Sequence, residues 1–459
     1  MPVAADSAVS PSLTLDLPAL DRRCARAIAA PLIVAYSGGG DSLALLLAAQ
    51  AWALAARRRL IAVTVDHGLQ SAGADWARLC AARCRSLGVA HEVLEWTGDK
   101  PRTGLPAAAR AARHGLIADF ARRSGAAVVL MGHTADDVLE ARRMRTEGST
   151  VPEPREWSPS PVWPRGRDVF ILRPLLEHRR DDLRAWLSAR DETWIDDPAN
   201  ADLRFARARA RNALTNLPSP SRGGVGGGGA TPAVPVGAQS HLSEVNDISA
   251  GVPIPGPSPR GGRGLAAGAL LFDRDAFDDD GAHGRLSVAL LAASGGIRPP
   301  RGEQVLALLH RLRSQARLTA SLAGARVQAG DEAIVISREA GELRRRPSPP
   351  MALPADAAVV WDGRFEIVAL TPGLTVQPLA GLASRLEKRR REALKAVPAI
   401  LRGALPAIVD LDGQITCPIL AGEPRVRVRS LAAARFAAAC GAVENEAAIW
   451  RVAKSPWAS

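Results

Sequence analysis

The stretch from Pro31 to Leu54 fixes more about the fold than any other part of the chain. An apolar run, Pro31 to Tyr36, leads into Ser37-Gly38-Gly39-Gly40-Asp41-Ser42, and a helix-like run, Leu43 to Leu54, follows. That is a strand, a glycine turn and a helix. The three glycines accept backbone angles that other residues resist and leave room for a bulky anion. Backbone N–H groups of the turn and of the helix start converge there, which suits a phosphate. Ser37 and Ser42 add hydroxyls, and Asp41 adds a carboxylate suited to magnesium. No Gly-Lys-Ser/Thr follows, so this is not the loop that cleaves a γ-phosphate.

The alternation continues to about residue 190. Strands are expected at Pro31–Tyr36, Leu60–Asp66, Val89–Trp96, Ala126–Met131 and Val169–Leu172. Helices are expected at Leu43–Leu54, Ala74–Leu87, Pro106–Ser124, Ala135–Arg145 and Arg179–Arg190. Strands alternating with helices predict an α/β fold with a doubly wound parallel sheet. Ligands on such sheets sit at the carboxyl ends of strands, where the glycine turn lies. Three further segments fall at such ends or near them. Val63 to Leu69 contains Asp66 and His67. Met131 to Glu140 contains Gly132, His133, Asp136 and Asp137. The paired aspartates open a helix, where they cap it and where they are also placed to hold magnesium or take a proton from an amine. Arg110 and Arg113, three apart, share one helix face.

These segments resemble the PP-loop family, the N-type ATP pyrophosphatases, through Ser37 to Ser42. More narrowly, they resemble the catalytic domain of tRNA(Ile)-lysidine synthases. Asp66-His67-Gly68-Leu69, the Gly-His-x-x-Asp-Asp segment from Gly132, Arg173-Pro174-Leu175-Leu176, and Asp197-Pro198-Ala199-Asn200 followed by Phe205-x-Arg207-x-Arg209-x-Arg211 occur in the family's order across about residues 31–212. The resemblance implies ATP and Mg2+ as cofactors and ATP contacts from Ser37, Gly38, Gly39, Gly40, Asp41, Ser42, Asp66, His67, Gly132 and His133. It implies Asp41 as metal ligand, with Asp41, Asp136 and Asp137 catalytic and Asp137 favoured as the base. Arg110, Arg113, Arg207, Arg209 and Arg211 would contact tRNA; alternate arginines suit a phosphodiester backbone. The implied reaction joins free L-lysine to C2 of the wobble cytidine of a CAU-anticodon tRNA(Ile) through an adenylated intermediate, releasing AMP and pyrophosphate. Two alternatives stay open: a PP-loop tRNA thiolase, which usually needs paired cysteines near the cleft, and an inactive RNA-binding relative. Departures are visible too. Arg145 to Ser149 keeps only part of the family's Arg-Gly-Ser-Gly loop, Pro152 to Pro164 is proline-rich, and the C-terminal half matches only faintly through Leu318 to Val327.

Composition agrees with an anionic partner. The net charge is +12, and only Lys100, Lys388, Lys395 and Lys454 are lysines among the basic residues, so arginine, the bidentate phosphate binder, dominates. A GC-rich genome explains that bias equally well. The five cysteines, Cys24, Cys80, Cys84, Cys417 and Cys440, form no Cys-x-x-Cys pair, which argues against a disulfide framework or a zinc or iron–sulfur site. Cys80 and Cys84, four apart, are expected to pack in a core. No signal peptide and no membrane-length apolar run is seen, so a cytoplasmic location is expected, with a homodimer left open. The domain expectation is 1–216 catalytic, 217–264 a disordered Gly/Pro-rich insertion, and 265–459 a smaller α+β tRNA-recognition region. The latter contains helices at Arg285–Ala293, Glu303–Ser314 and Arg385–Leu394, strands around Ala329-Gly330-Asp331, and a hairpin turning at Asp362-Gly363.

Overall fold

The computed structural model describes residues 15–70, 72–149, 151–196, 206–215, 267–345, 349–420 and 423–453. They fall into two compact units, 1–223 with 445–447, and the remainder. The division lies inside 216–266, so the expected insertion is outside the described residues.

The first unit runs α1 (Pro18–Arg23), β1 (Leu32–Ala35), α2 (Gly40–Ala55), β2 (Leu60–Asp66), α3 (Gly73–Ser86), β3 (Ala90–Glu95), α4 (Leu105–Arg123), β4 (Val128–Met131), α5 (Ala135–Thr146), β5 (Trp157–Pro159), β6 (Phe170–Leu172), α6 (Arg180–Ser188) and α7 (Ala206–Thr215). The sheet order is β3-β2-β1-β4-β6-β5. All pairings are parallel except β5 on β6. The chain therefore winds outward from β1 to β3 and then crosses back to β4 on the other side of β1. The crevice at that reversal, above the carboxyl ends of β1 and β4, is where this topology binds ligands.

Burial on both faces explains the strand sequences, which read as near-continuous apolar runs. Ile33, Ile61, Val63, Val129 and Ile171 form one core with Ile117 and Ala121 of α4. The alternate residues Leu32, Val34, Ala62, Val128 and Leu130 are buried as well, on the face against which α2 packs. Cys80 and Cys84 of α3 are buried and free, as core packing requires.

Differences from expectation are local. Helix α2 begins at Gly40, not Leu43, so Gly40, Asp41 and Ser42 form its first turn. The proline-rich stretch carries β5, an edge strand that tolerates proline because one side of it needs no ladder donor. Helix α6 is shorter at both ends than expected.

The second unit holds three antiparallel sheets: one in the order β7-β10-β9-β8, one in which β11 (Met351–Leu353), β14 (Leu374–Pro378), β15 (Pro406–Val409) and β16 (Ile415–Thr416) pair in that order, and one in the order β12-β13-β17, with β17 at Val426–Ser430. The first, with β7 at Leu270–Asp273, β8 at Leu318–Leu322, β9 at Ala325–Ala329 and β10 at Ala333–Arg338, shares a core with helices Ala282–Ser294, Gly302–Ser314 and Ala432–Ala439. The expected hairpin forms between β12 (Ala358–Trp361) and β13 (Phe365–Ala369), with Asp362 and Gly363 both at positive φ. The basic helix starts at Lys388, after a 3-10 turn at Ala383–Arg385. Among the described residues no helix is long and apolar enough to cross a membrane.

Candidate active site

The glycine turn after β1 is shaped by one strained residue and two open ones. Gly38 has φ +84° and its carbonyl accepts the Ile195 N–H at 2.9 Å; a Cβ there would lie 2.5 Å from Ile195 Cδ1. Gly38 is thus required by the protein's own packing. Gly39 and Gly40 are different. Gly39 has φ −72°, Gly40 is the first helical residue, and a Cβ on either would meet only ordinary contacts of 3.5 Å or more. Among the described residues no atom demands glycine at these two places. The free N–H groups of the first turn of α2 beside that space make a cradle that an anion fits. Ser42 holds the turn shut on itself, donating to the Gly39 carbonyl (2.8 Å) and accepting the Ser37 N–H (3.2 Å).

The turn after β4 presses against this cradle: a Cβ on Gly132 would sit 3.0 Å from the Asp41 carbonyl oxygen. Helix α5 follows, closed by a capping box. Asp137 Oδ2 accepts the Thr134 N–H at 2.7 Å and lies 3.1 Å from the Thr134 hydroxyl, and Asp137 is 7% exposed. Asp136 accepts the backbone N–H of Arg180 (2.8 Å) and pairs with Arg179 (2.9 Å), which ties the start of α6 to the start of α5.

Between the two turns stands a cation. The Arg180 guanidinium reaches Asp41 through Nε (3.1 Å), Glu140 through Nη1 (3.2 Å) and Asp137 Oδ1 through Nη2 (3.7 Å). Burial works against its charge, but Asp41, Asp137 and Glu140 prevail and hold its pKa above the usual value. Glu140, 1% exposed, also pairs with Arg211 Nε at 2.8 Å. Asp41 responds chiefly to burial, which raises its pKa; Arg180 opposes that, and Asp137 adds to it.

The other wall of the crevice is basic. Arg173, at the end of β6, is 6% exposed and donates to the Arg155 carbonyl (2.8 Å) and Ser158 Oγ (3.0 Å). Burial and then the charges of Arg110 and Arg113 push its pKa down to about 10, with Asp137 acting the other way. The same arginines bear on His114, which burial above all pushes down to about 3. His114 is 2% exposed, and neither ring nitrogen has a hydrogen-bond partner among the described residues. A base with a depressed folded pKa binds fewer protons folded than unfolded, so its contribution to stability declines as pH falls from about 6.5 toward about 3. We predict a loss on the order of a few kcal/mol over that window, read by denaturant titration at stepped pH, and that His114→Leu flattens it. An unchanged slope in the variant would assign acid sensitivity to other groups.

A family model for the PP-loop domain matches residues 19–217. A protein of Caulobacter vibrioides described as tRNA(Ile)-lysidine synthase is 45% identical over 434 residues, spanning 93% of this chain and 97% of the relative. The chain belongs to the tRNA(Ile)-lysidine synthase family. Proteins of the same description from Mesorhizobium japonicum (32% identical; 86% of this chain, 87% of the relative) and Hyphomonas neptunium (35%; 75% and 90%) agree. It is an ATP-using, tRNA-modifying enzyme built on a PP-loop domain.

Within this tRNA(Ile)-lysidine synthase family member, Ser37 to Ser42, Gly132, Asp136 and Asp137 gather at one crevice. His133 follows Gly132, its N–H on the Met131 carbonyl at 3.0 Å. Asp66 turns to its own loop, accepting the Gly68 N–H at 2.8 Å. His67 is half-buried, edge-on to Trp96 at 6.1 Å, and burial and then Arg113 lower its pKa. Arg110 and Arg113 lie within electrostatic reach of Arg173, on the basic wall.

Arg209 and Arg211 do not share a face of α7. At 100° per residue, positions two apart face nearly opposite ways on a helix. In α7, Arg211 turns inward to Glu140 and Arg209 is exposed. The side chain of Arg207, and Asp197, Pro198, Asn200 and Phe205, lie outside the described residues. Two site residues escaped the sequence reading, Glu140 and Arg180. Glu140 stands three residues after Asp137, on the same helix face. Arg180 opens a helix, a position the helix dipole disfavours for a cation; that mismatch was its signal.

Proposed function

We propose that the protein ligates lysine to C2 of the wobble cytidine in a CAU-anticodon tRNA(Ile). The observation that carries this reading is the meeting of an anion cradle, Gly38 to Ser42, with the carboxylates of Asp41, Asp137 and Glu140 in one crevice. ATP would lie with its phosphates on the start of α2. The C2 oxygen of cytidine attacks the α-phosphorus and pyrophosphate departs. The ε-amine of lysine then adds to C2, loses a proton, and AMP leaves with the oxygen, so a C–N bond replaces the C–O bond. Backbone N–H groups aimed at the phosphates are in place before charge develops, which is how such sites lower barriers.

The donor set fits Mg2+. Among the described residues no three His, Cys, Asp or Glu side chains gather as a metal cage, and magnesium bound with nucleotide needs only one or two carboxylates, the remainder being phosphate and water. Asp41 would hold it, and the ion would neutralise charge on the phosphates and the leaving pyrophosphate. Asp137 is the proton acceptor in this reading. Its Oδ2 is engaged by Thr134, so Oδ1 is the atom that receives the proton of the lysine ammonium. Arg110, Arg113 and Arg209 would face the RNA backbone, and the unit from β7 onward, with its basic helix Lys388–Lys395, would read the tRNA.

Sulfur transfer finds little support. Cys80 and Cys84 are buried, and burial raises both thiols, Cys84 to about 12, away from the reactive thiolate. The test is incubation with ATP, radiolabelled lysine and the CAU-anticodon transcript. Label is expected in the RNA, dependent on ATP. Folded protein that releases pyrophosphate and leaves the RNA unlabelled would overturn the substrate assignment.

A further inference from the structure

Arg180 satisfies the site carboxylates in the ligand-free protein, and the way it does so is asymmetric. Each of its three guanidinium nitrogens faces a different carboxylate, so none of the contacts is the bidentate pair that locks an arginine in place. The carboxylates differ in what else they hold. Glu140 retains Arg211, and Asp137 Oδ2 retains the Thr134 N–H. For Asp41, Arg180 is the one ion-pair partner among the described residues. The backbone of Arg180 is anchored by Asp136, while no bidentate pair fixes its side chain. A turn of the guanidinium toward Glu140 therefore releases Asp41 and otherwise gives up only the long 3.7 Å contact to Asp137.

We propose that Arg180 is a resident cation that occupies the charge position at Asp41 until a divalent ion takes it, then withdraws toward Glu140 and leaves Asp137 Oδ1 to the lysine amine. The proposal rests on Asp41 being the metal ligand of the proposed function. Its physical basis is that a partly buried carboxylate such as Asp41, 23% exposed, is costly without a cation, so the crevice keeps one in both states. The consequence is a built-in competition: the apparent metal affinity of the nucleotide-free protein is reduced by the fraction of time that Arg180 holds Asp41. Metal entry then depends on nucleotide arriving with it, which disfavours a metal-loaded but empty site. Arg180 is a positioning residue in this account, acting through Asp41.

The test is a Mn2+ titration of the nucleotide-free full-length protein, read by loss of the free-ion electron paramagnetic resonance signal. Arg180→Gln is expected to tighten Mn2+ binding by about tenfold or more. Arg180→Lys, which keeps a positive charge, is expected to give a smaller gain, and Arg180→Gln combined with Asp41→Asn to lose it. Circular dichroism and thermal melting establish that each variant is folded; should Arg180→Gln not fold, Arg180→Lys against wild type carries the comparison. Equal Mn2+ affinity of folded variant and wild type, or a gain that survives Asp41→Asn, overturns the proposal. Failure here is separable from failure of the proposed function, because pyrophosphate release by the wild type is measured without reference to Arg180.

Discussion

Asp41→Asn is expected to lower ATP-dependent pyrophosphate release at least about a thousandfold, roughly 4 kcal/mol of transition-state stabilisation. The substitution keeps the side chain's shape at the first turn of α2 and removes the charge that faces Arg180 at 3.1 Å. Binding of tRNA, carried by basic surfaces elsewhere, is expected to change little. Wild-type pH dependence supplies a second reading. Burial raises the Asp41 pKa, so the carboxylate takes up a proton at higher pH than an ordinary aspartate. The acid limb of kcat/KM for pyrophosphate release, which reports the free protein before metal and nucleotide bind, is therefore displaced upward from the usual aspartate range. A variant that turns over at the wild-type rate would remove Asp41 from the chemistry.

The second large effect concerns stability. Glu140 is buried and bridges Arg180 and Arg211. Glu140→Ala leaves two guanidinium groups facing a cavity, and breaking a buried pair from one side costs about 3–5 kcal/mol. Thermal unfolding is expected to shift down by roughly 10 °C. Arg211→Ala, at a side chain one-third exposed, is expected to cost less than half of that, because water screens the pair. Equal melting of Glu140→Ala and wild type would mean that the network contributes no stability.

The strands and helices of the first unit are legible in the sequence because both faces of the sheet are covered, which writes long apolar runs between glycine-rich turns. The crevice is legible for the same reason, since its turns carry residues with no packing purpose, Gly39 and Gly40 above all. What escaped the sequence depends on three-dimensional pairing. Asp136 and Asp137 read equally as caps and as chemistry, and the structure gives both a capping contact while turning Asp137 Oδ1 toward Arg180. Arg211 reads as one of a row of phosphate contacts because alternation suggests one face; on a helix it becomes the partner of Glu140. Strand β5 was hidden by prolines that only an edge position tolerates. In the second unit the strands are short, and Leu318–Leu322 shows the difficulty: its residues alternate between the core and solvent, but over only five positions.

In the proposed reaction the crevice at Ser37 to Ser42 adenylates an RNA base. Incubating the protein with the CAU-anticodon transcript and ATP labelled at the α-phosphorus, with lysine omitted, tests it directly. Label is expected to move onto the RNA, to be absent with γ-labelled ATP, and to be discharged as AMP when lysine is added. Formation of ADP and orthophosphate, with no label on the RNA, would contradict it.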